Sequence, residues 1–137
     1  MKVKFLTVSA VSIAAITCAG CGLFDSGDLW QDGKYVLYWI DTHENMSLGL
    51  DLNGNSYLDR VEPTVFAVGS NERYVVAKQH PSGNRAVTNY YIIDKATDNK
   101  NFNDDEATKR PLTAEQFQSL KTIRGLPEFQ KTVTSLE

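Results

Sequence analysis

Across residues 34–94 the chain repeats one pattern: short aromatic and β-branched runs, each closed by a cluster of Gly, Pro, Asn, Asp or Ser. Such runs fit a pleated, half-buried surface, and the clusters between them fit turns. Residues 34–40 put Tyr35, Leu37 and Trp39 on one side and Val36, Tyr38 and Ile40 on the other, so a central strand covered on both faces is expected. Residues 41–45 read as a polar turn. Met46, Leu48 and Leu50 then alternate with Ser47, Gly49 and Asp51, the signature of a half-buried strand. Asn53-Gly54 is a strong hairpin signal. Residues 57–61 make the return strand, which Pro63 interrupts.

Three further strands are expected over residues 64–68, 73–79 and 85–94. In the second of these Tyr74 and Val76 oppose Val75 and Ala77; in the third Val87, Tyr91 and Ile93 oppose Tyr90 and Ile92. Residues 95–110 are too polar to bury and read as a mobile loop. A helix follows. Thr113 with Gln116 forms a capping box, and Leu112 with Phe117 is spaced as a hydrophobic staple. Phe117, Leu120 and Ile123 mark its apolar face, Gly125 stops it, and Leu126 packs back ahead of Pro127. Phe129, Val133 and Leu136 suggest a short second helix on the same surface. The expected fold is α+β: an antiparallel meander of about five strands with one or two C-terminal helices on one face.

The first residues read as an address. Met1, Lys2, Val3 and Lys4 make a cationic start, residues 5–17 are apolar and uncharged, and Cys18-Ala19-Gly20-Cys21 follows. That is the layout of a secretory signal peptide. The apolar run falls short of the ~20 residues that span a bilayer. The end of the segment resembles a bacterial lipobox, in which small residues precede a cysteine that is lipidated and becomes the new N-terminus. Cys21, after Ala19 and Gly20, fits that position; Cys18 stands where the motif usually has leucine. The alternative is an ordinary secreted protein with an unpaired cysteine, an odd thing to keep in an oxidising compartment. The resemblance implies a diacylglycerol and an N-acyl chain on Cys21, together a firm anchor where one chain would hold weakly. Gly22, not aspartate, follows Cys21, which in Gram-negative lipoproteins implies the outer membrane.

The expected organisation is thus a signal peptide over residues 1–20, a lipidated tether over 21–32, and one α+β domain over 33–137. Gly22, Asp25, Ser26, Gly27, Asp28 and Gly33 break any periodicity in the tether. Cleavage removes Lys2 and Lys4 and no acid, so a formal charge of -3 becomes -5 on a mature chain of 117 residues. An acidic chain of this kind is a poor match for nucleic acid.

Four groups of residues carry candidate chemistry. The sharpest is residues 51–62, which resemble the twelve-residue calcium loop of EF-hand proteins. Asp51, Asn53, Asn55, the Tyr57 carbonyl, Asp59 and Glu62 fall on its ligand positions. Ser56 stands where the sharp turn demands glycine, Pro63 would harm an exiting helix, and the flanks read as strands. The plainer reading is a hairpin turn with a solvated acidic face, since turns and calcium loops use the same residue types. Asp41, His43, Glu44 and His80 offer a zinc or general-base set, set against surface turn residues. The acidic segment from Asp98 to Glu106 offers oxygen ligands or a surface for a basic partner, set against a solvated loop. Tyr35, Tyr38, Trp39, Tyr74, Tyr90 and Tyr91 offer stacking platforms for sugars or a partner protein, set against ordinary core packing. No Gly-x-Ser-x-Gly, phosphate-cradling glycine loop or His-Glu-x-x-His is present.

The runs 73–79, 90–95 and 111–117, in that order, look like those of small bacterial lipoproteins built on a domain of unknown function; the likeness covers roughly residues 30–125 and implies no activity. The expectation is a non-enzymatic, outer-membrane-anchored lipoprotein facing the periplasm. Its partners would be the membrane, through its anchor, and an envelope protein, with immunity or exclusion as the kind of task. Calcium binding through residues 51–62 and a hydrolase centred on His43 and His80 are the alternatives.

Overall fold

A computed structural model describes residues 26–98 and 110–137. The strands form two antiparallel sheets rather than a single meander. The first sheet holds β1 (Ser26–Asp32), β2 (Tyr35–Ile40), β3 (Thr42–Asp51) and β4 (Tyr57–Val61), side by side in chain order. The second holds β5 (Val65–Ser70), β6 (Tyr74–Gln79), β7 (Asn89–Asp94) and β8 (Lys131–Thr132), in the order β7-β6-β5-β8. One helix, α1 (Ala114–Arg124), packs on the second sheet. The split falls at Pro63, which lacks the amide a continuing ladder would need. Alternation told which residues point inward; it did not tell which strands would share a ladder.

Two apolar clusters hold the layers. The larger joins Leu37, Met46, Leu48, Leu50, Leu58 and Val61 of the first sheet to Val65, Ala67, Val75, Ala77 and Ile93 of the second. The smaller lies on the other face of the second sheet, where Tyr74 and Val76 meet Phe117 and Leu126, with Tyr90, Ile92 and Phe129 beside them. The alternation expected in β6 and β7 is therefore realised, one face toward each cluster. β2 is the covered central strand, with residues 35–38 buried between β1 and β3.

Several local expectations need correction. Residues 26–32 of the expected tether form β1, paired with β2 around a Gly33 turn at φ 57°. A register shift between Asp28 and Trp30 explains why the period of two fails there. β3 begins at Thr42, because Asp41 turns the chain alone at φ 68°; Thr42, His43, Glu44 and Asn45 are its exposed extension. The second helix is absent. Gln130 and Val133 instead donate backbone hydrogen bonds to Val68 and Phe66 at 2.8 and 2.7 Å, flanking β8, and a 3-10 turn over Thr134–Leu136 buries Leu136. The first helix keeps its capping box at Thr113 and Gln116 and its left-handed cap at Gly125. Its apolar face is narrower than expected: Phe117 is buried, Leu120 is partly buried, and Ile123 is 80% exposed. Leu112 is held by two backbone hydrogen bonds with Tyr90, 2.8 and 3.0 Å.

Polar links join the sheets at one end. Arg60 grips Asp98 with two nitrogens at 2.9 and 3.1 Å, while the Tyr35 hydroxyl donates to the same carboxylate at 2.7 Å. Bidentate geometry of this kind is the strong form of the interaction. Asp32 accepts from the Ser70 hydroxyl and from Lys95 at 2.8 Å, and Lys95 also donates to the Asn71 carbonyl at 2.7 Å.

Candidate functional site

The four candidate groups separate in space. In the β3–β4 hairpin the Asp51 carboxylate accepts from the backbone amides of Asn53 and Gly54, at 3.1 and 2.6 Å. The Asn53 side-chain oxygen accepts from the Asn55 amide at 3.2 Å and the Ser56 hydroxyl at 3.1 Å. Gly54 takes φ 86°, the left-handed region that the turn demands. Asp51 pairs with Tyr57, and Gly49 with Asp59, across the ladder. Asp59 accepts the Tyr38 hydroxyl, and the Glu62 carbonyl accepts from the Gln79 amide at 2.8 Å. Residues 51–62 are thus a side-chain-capped hairpin with strand flanks, and two of the six expected oxygen ligands already serve the turn. Among the described residues no three His, Cys, Asp or Glu side chains group as a metal would require.

The histidines part company too. His43 is exposed and meets the Trp39 ring edge-on, centroids 4.5 Å apart. His80 is buried, stacked on Phe66 at 4.2 Å, with its backbone paired to Thr64. Its Nδ1 lies 2.8 Å from the Val87 carbonyl, which only accepts, so Nδ1 carries the proton. That leaves Nε2 buried with no partner among the described residues, a cost of about 1–3 kcal/mol. Glu44 pairs with Arg85 at 3.3 Å on the surface, and Asp41 forms the β2–β3 turn. Of the acidic segment, Asp98 is committed to Arg60 and Tyr35; residues 99–106 lie outside the described residues.

The aromatic set divides. Tyr74 and Tyr90 belong to the cluster under α1, Tyr91 packs on the core, and Tyr35 does so with its hydroxyl on Asp98. Trp39 packs on the larger cluster as well; Tyr38 remains, and Tyr38, Trp39 and Tyr57 line a cleft of about 470 Å³ at the first sheet, within the ~300–1,000 Å³ range of ligand sites. Tyr38 and Tyr57 lean together, centroids 4.4 Å apart at 36°. They fit because Gly49 of β3 has no side chain: a Cβ there would stand 2.8 Å from the Tyr38 ring and 3.2 Å from the Tyr57 Cβ. Gly27 does the same for Trp39, whose indole nitrogen would lie 2.9 Å from an added Cβ. The Tyr57 hydroxyl donates weakly to both Asp28 oxygens, at 3.3 and 3.4 Å.

The electrostatics of the cleft are one-signed. Desolvation pushes the Tyr38 phenol far above its ordinary range, and its bond to Asp59 adds to this. The same desolvation raises the Asp59 carboxyl, against the pull of the Tyr38 hydrogen bond. Burial and the neighbouring Asp28 charge raise the Tyr57 phenol. All three phenol and carboxyl groups therefore hold their protons more tightly than in water. Asp28, Asn55 and Ser56 also line the cleft. Residues 21–32 read as a tether from sequence, which hid Asp28; the paired small residues Gly27 and Gly49 were the signal that rings lie flat against this sheet.

A family model described as "Protein of unknown function (DUF3997)" matches residues 32–130. The match starts on the last residue of β1, so Tyr38, Trp39, Tyr57 and Asp59 lie inside it and Asp28 lies ahead of it. No curated protein and no solved structure is significantly similar to the chain.

Proposed function

We propose that this chain, which belongs to the DUF3997 family, is a non-enzymatic binding module held on the periplasmic face of the outer membrane by acyl chains on Cys21. The cleft lined by Asp28, Tyr38, Trp39 and Tyr57 is its binding surface. The observation that carries the reading is the cleft itself: rings, carboxylate and neutral polar groups converge there. Cys21 lies outside the described residues. Only five peptide links separate it from Ser26, where β1 begins, so chain geometry keeps that end of the domain within ~18 Å of an anchored sulfur. Ser26 also lines the cleft, so ligands would be met close to the membrane surface. Immunity or exclusion, in which a small anchored protein intercepts an incoming molecule, is a task of this kind.

Replacing Cys21 with serine should move the protein from the membrane fraction to the soluble fraction; retention in membranes would refute the anchor. Crosslinking in intact envelopes should capture a partner that is lost when Asp28→Asn and Tyr57→Phe are combined. A partner captured equally by both forms would place the binding surface elsewhere.

A further inference from the structure

Resting on the cleft as a binding surface, we infer that its ligand is a neutral saccharide, stacked on Tyr57 and hydrogen-bonded by Asp28, Ser26 and Asn55. Charge decides the class first. Among the described residues that line the cleft there is no Lys, Arg or His, and Asp28 contributes a carboxylate. A phosphate, sulfate or carboxylate ligand would meet repulsion with no compensating cation. A purely apolar ligand would strand the polar half of the lining, since a desolvated carboxylate or amide without a partner is costly.

The hydrogen-bonding inventory narrows it further. Asp28 is exposed, and its bonds among the described residues are the long ones to the Tyr57 hydroxyl, 3.3 and 3.4 Å, so most of its acceptor capacity toward them is open. The side chains of Ser26 and Asn55 are exposed and have no partner among the described residues. Carboxylate, amide and hydroxyl spread around the partly exposed Tyr57 ring can satisfy several hydroxyls at once. A compact ammonium could use the carboxylate and the ring but would leave the neutral groups idle. The negative ring face of Tyr57 suits the C–H face of a pyranose. Tyr38 is buried against the Tyr57 ring and forms the floor.

The chain's two tryptophans are Trp30 and Trp39, and Trp39 lines the cleft, so fluorescence reports occupancy. The intact lipoprotein, in a detergent without sugar headgroups, would be titrated with chitotriose, cellotriose and maltotriose, and in parallel with choline and glucose 6-phosphate. Saturation-transfer NMR gives a second readout. At least one neutral trisaccharide should perturb the emission and receive saturation, and Asp28→Asn should weaken it about tenfold, as expected for one hydrogen bond to a charged group. Asp32→Asn, away from the cleft, should bind as the parent does. The inference fails if no neutral trisaccharide binds, if choline or the phosphate binds in its place, or if Asp28→Asn changes nothing. Failure here with cleft-dependent protein crosslinking intact would leave the binding module standing and make its ligand a protein.

Discussion

The two sheets use the same residue types for opposite ends. The second is sandwiched: its inner face packs on the first sheet, and Tyr74, Val76 and Tyr90 on its outer face are sealed by Phe117 of α1 and by Phe129. On the first sheet, Tyr38 and Tyr57 lean on one another with their hydroxyls tied to Asp59 and Asp28, and the rings line an open cleft. The difference lies less in the tyrosines than in what the chain supplies to cover them. Aromatic residues on a strand are scaffold where a helix follows to bury them, and a site where carboxylates and glycines are provided.

Removing the cover tests the contrast hardest. Phe117→Ala should cost about 4 kcal/mol, the usual cost of emptying a phenylalanine site in a core, and shift the urea midpoint accordingly. Cleft binding measured well below that midpoint should survive. If Phe117→Ala abolished binding in the folded state, the two sheets would not be separable in function.

Two glycines sharpen the comparison. A Cβ on Gly69 of β5 would stand 1.9 Å from the Glu128 carbonyl oxygen, which is backbone and cannot yield without parting the strands. A Cβ on Gly49 would meet the Tyr38 ring, a side chain that can lift. Gly69→Ala should therefore lose about 3 kcal/mol in equilibrium unfolding and Gly49→Ala about 1 kcal/mol. Only the second should remove ligand-dependent changes in tryptophan emission. Equal losses would mean that both sheets are packed with the same rigidity.

The smallest test uses acid. Asp32 is held below its ordinary 3.8 by hydrogen bonds from Lys95 and Ser70, so its contribution is present above that value and lost as pH falls through its lowered folded value. Asp59 is held above 3.8 by desolvation, so its contribution is present below that value and lost as pH rises through its raised folded value. Asp32→Asn should soften the acid limb of the stability curve, and Asp59→Asn should lift stability at pH 7 relative to pH 4. Both side chains touch water, so each change should stay under about 1 kcal/mol. Curves that move in the same direction would contradict the difference between the two ends.

Much of this was legible in the sequence where one local rule dominated. The Asn53-Gly54 turn, the alternation of Tyr74 to Ala77, the Thr113 capping box and the Gly125 stop are short-range, and all stand in the structure. What failed depends on distant partners. The bulge at Leu29 breaks the period of two, so β1 looks like a tether. Phe129, Val133 and Leu136 have a helix-like spacing, yet open edge groups on β5 claim the neighbouring backbone for β8. The calcium-like spacing over residues 51–62 is met by a hairpin because Asp51 and Asn53 cap the turn themselves. The cleft needed Asp28 and Tyr57, separated by 28 intervening residues, to be brought together by pairing no local pattern records.

The two-residue β8 sets an order of events. Ala67 and Val68 pair with Thr132 and Lys131, partners made more than sixty residues later. Any process that delivers the polypeptide N-terminus first, whether ribosome or translocation pore, leaves this side of β5 unsatisfied until the tail arrives, and a bare strand edge invites pairing with other chains. Shortening the tail by a handful of residues would thus turn a contained domain into an adhesive one.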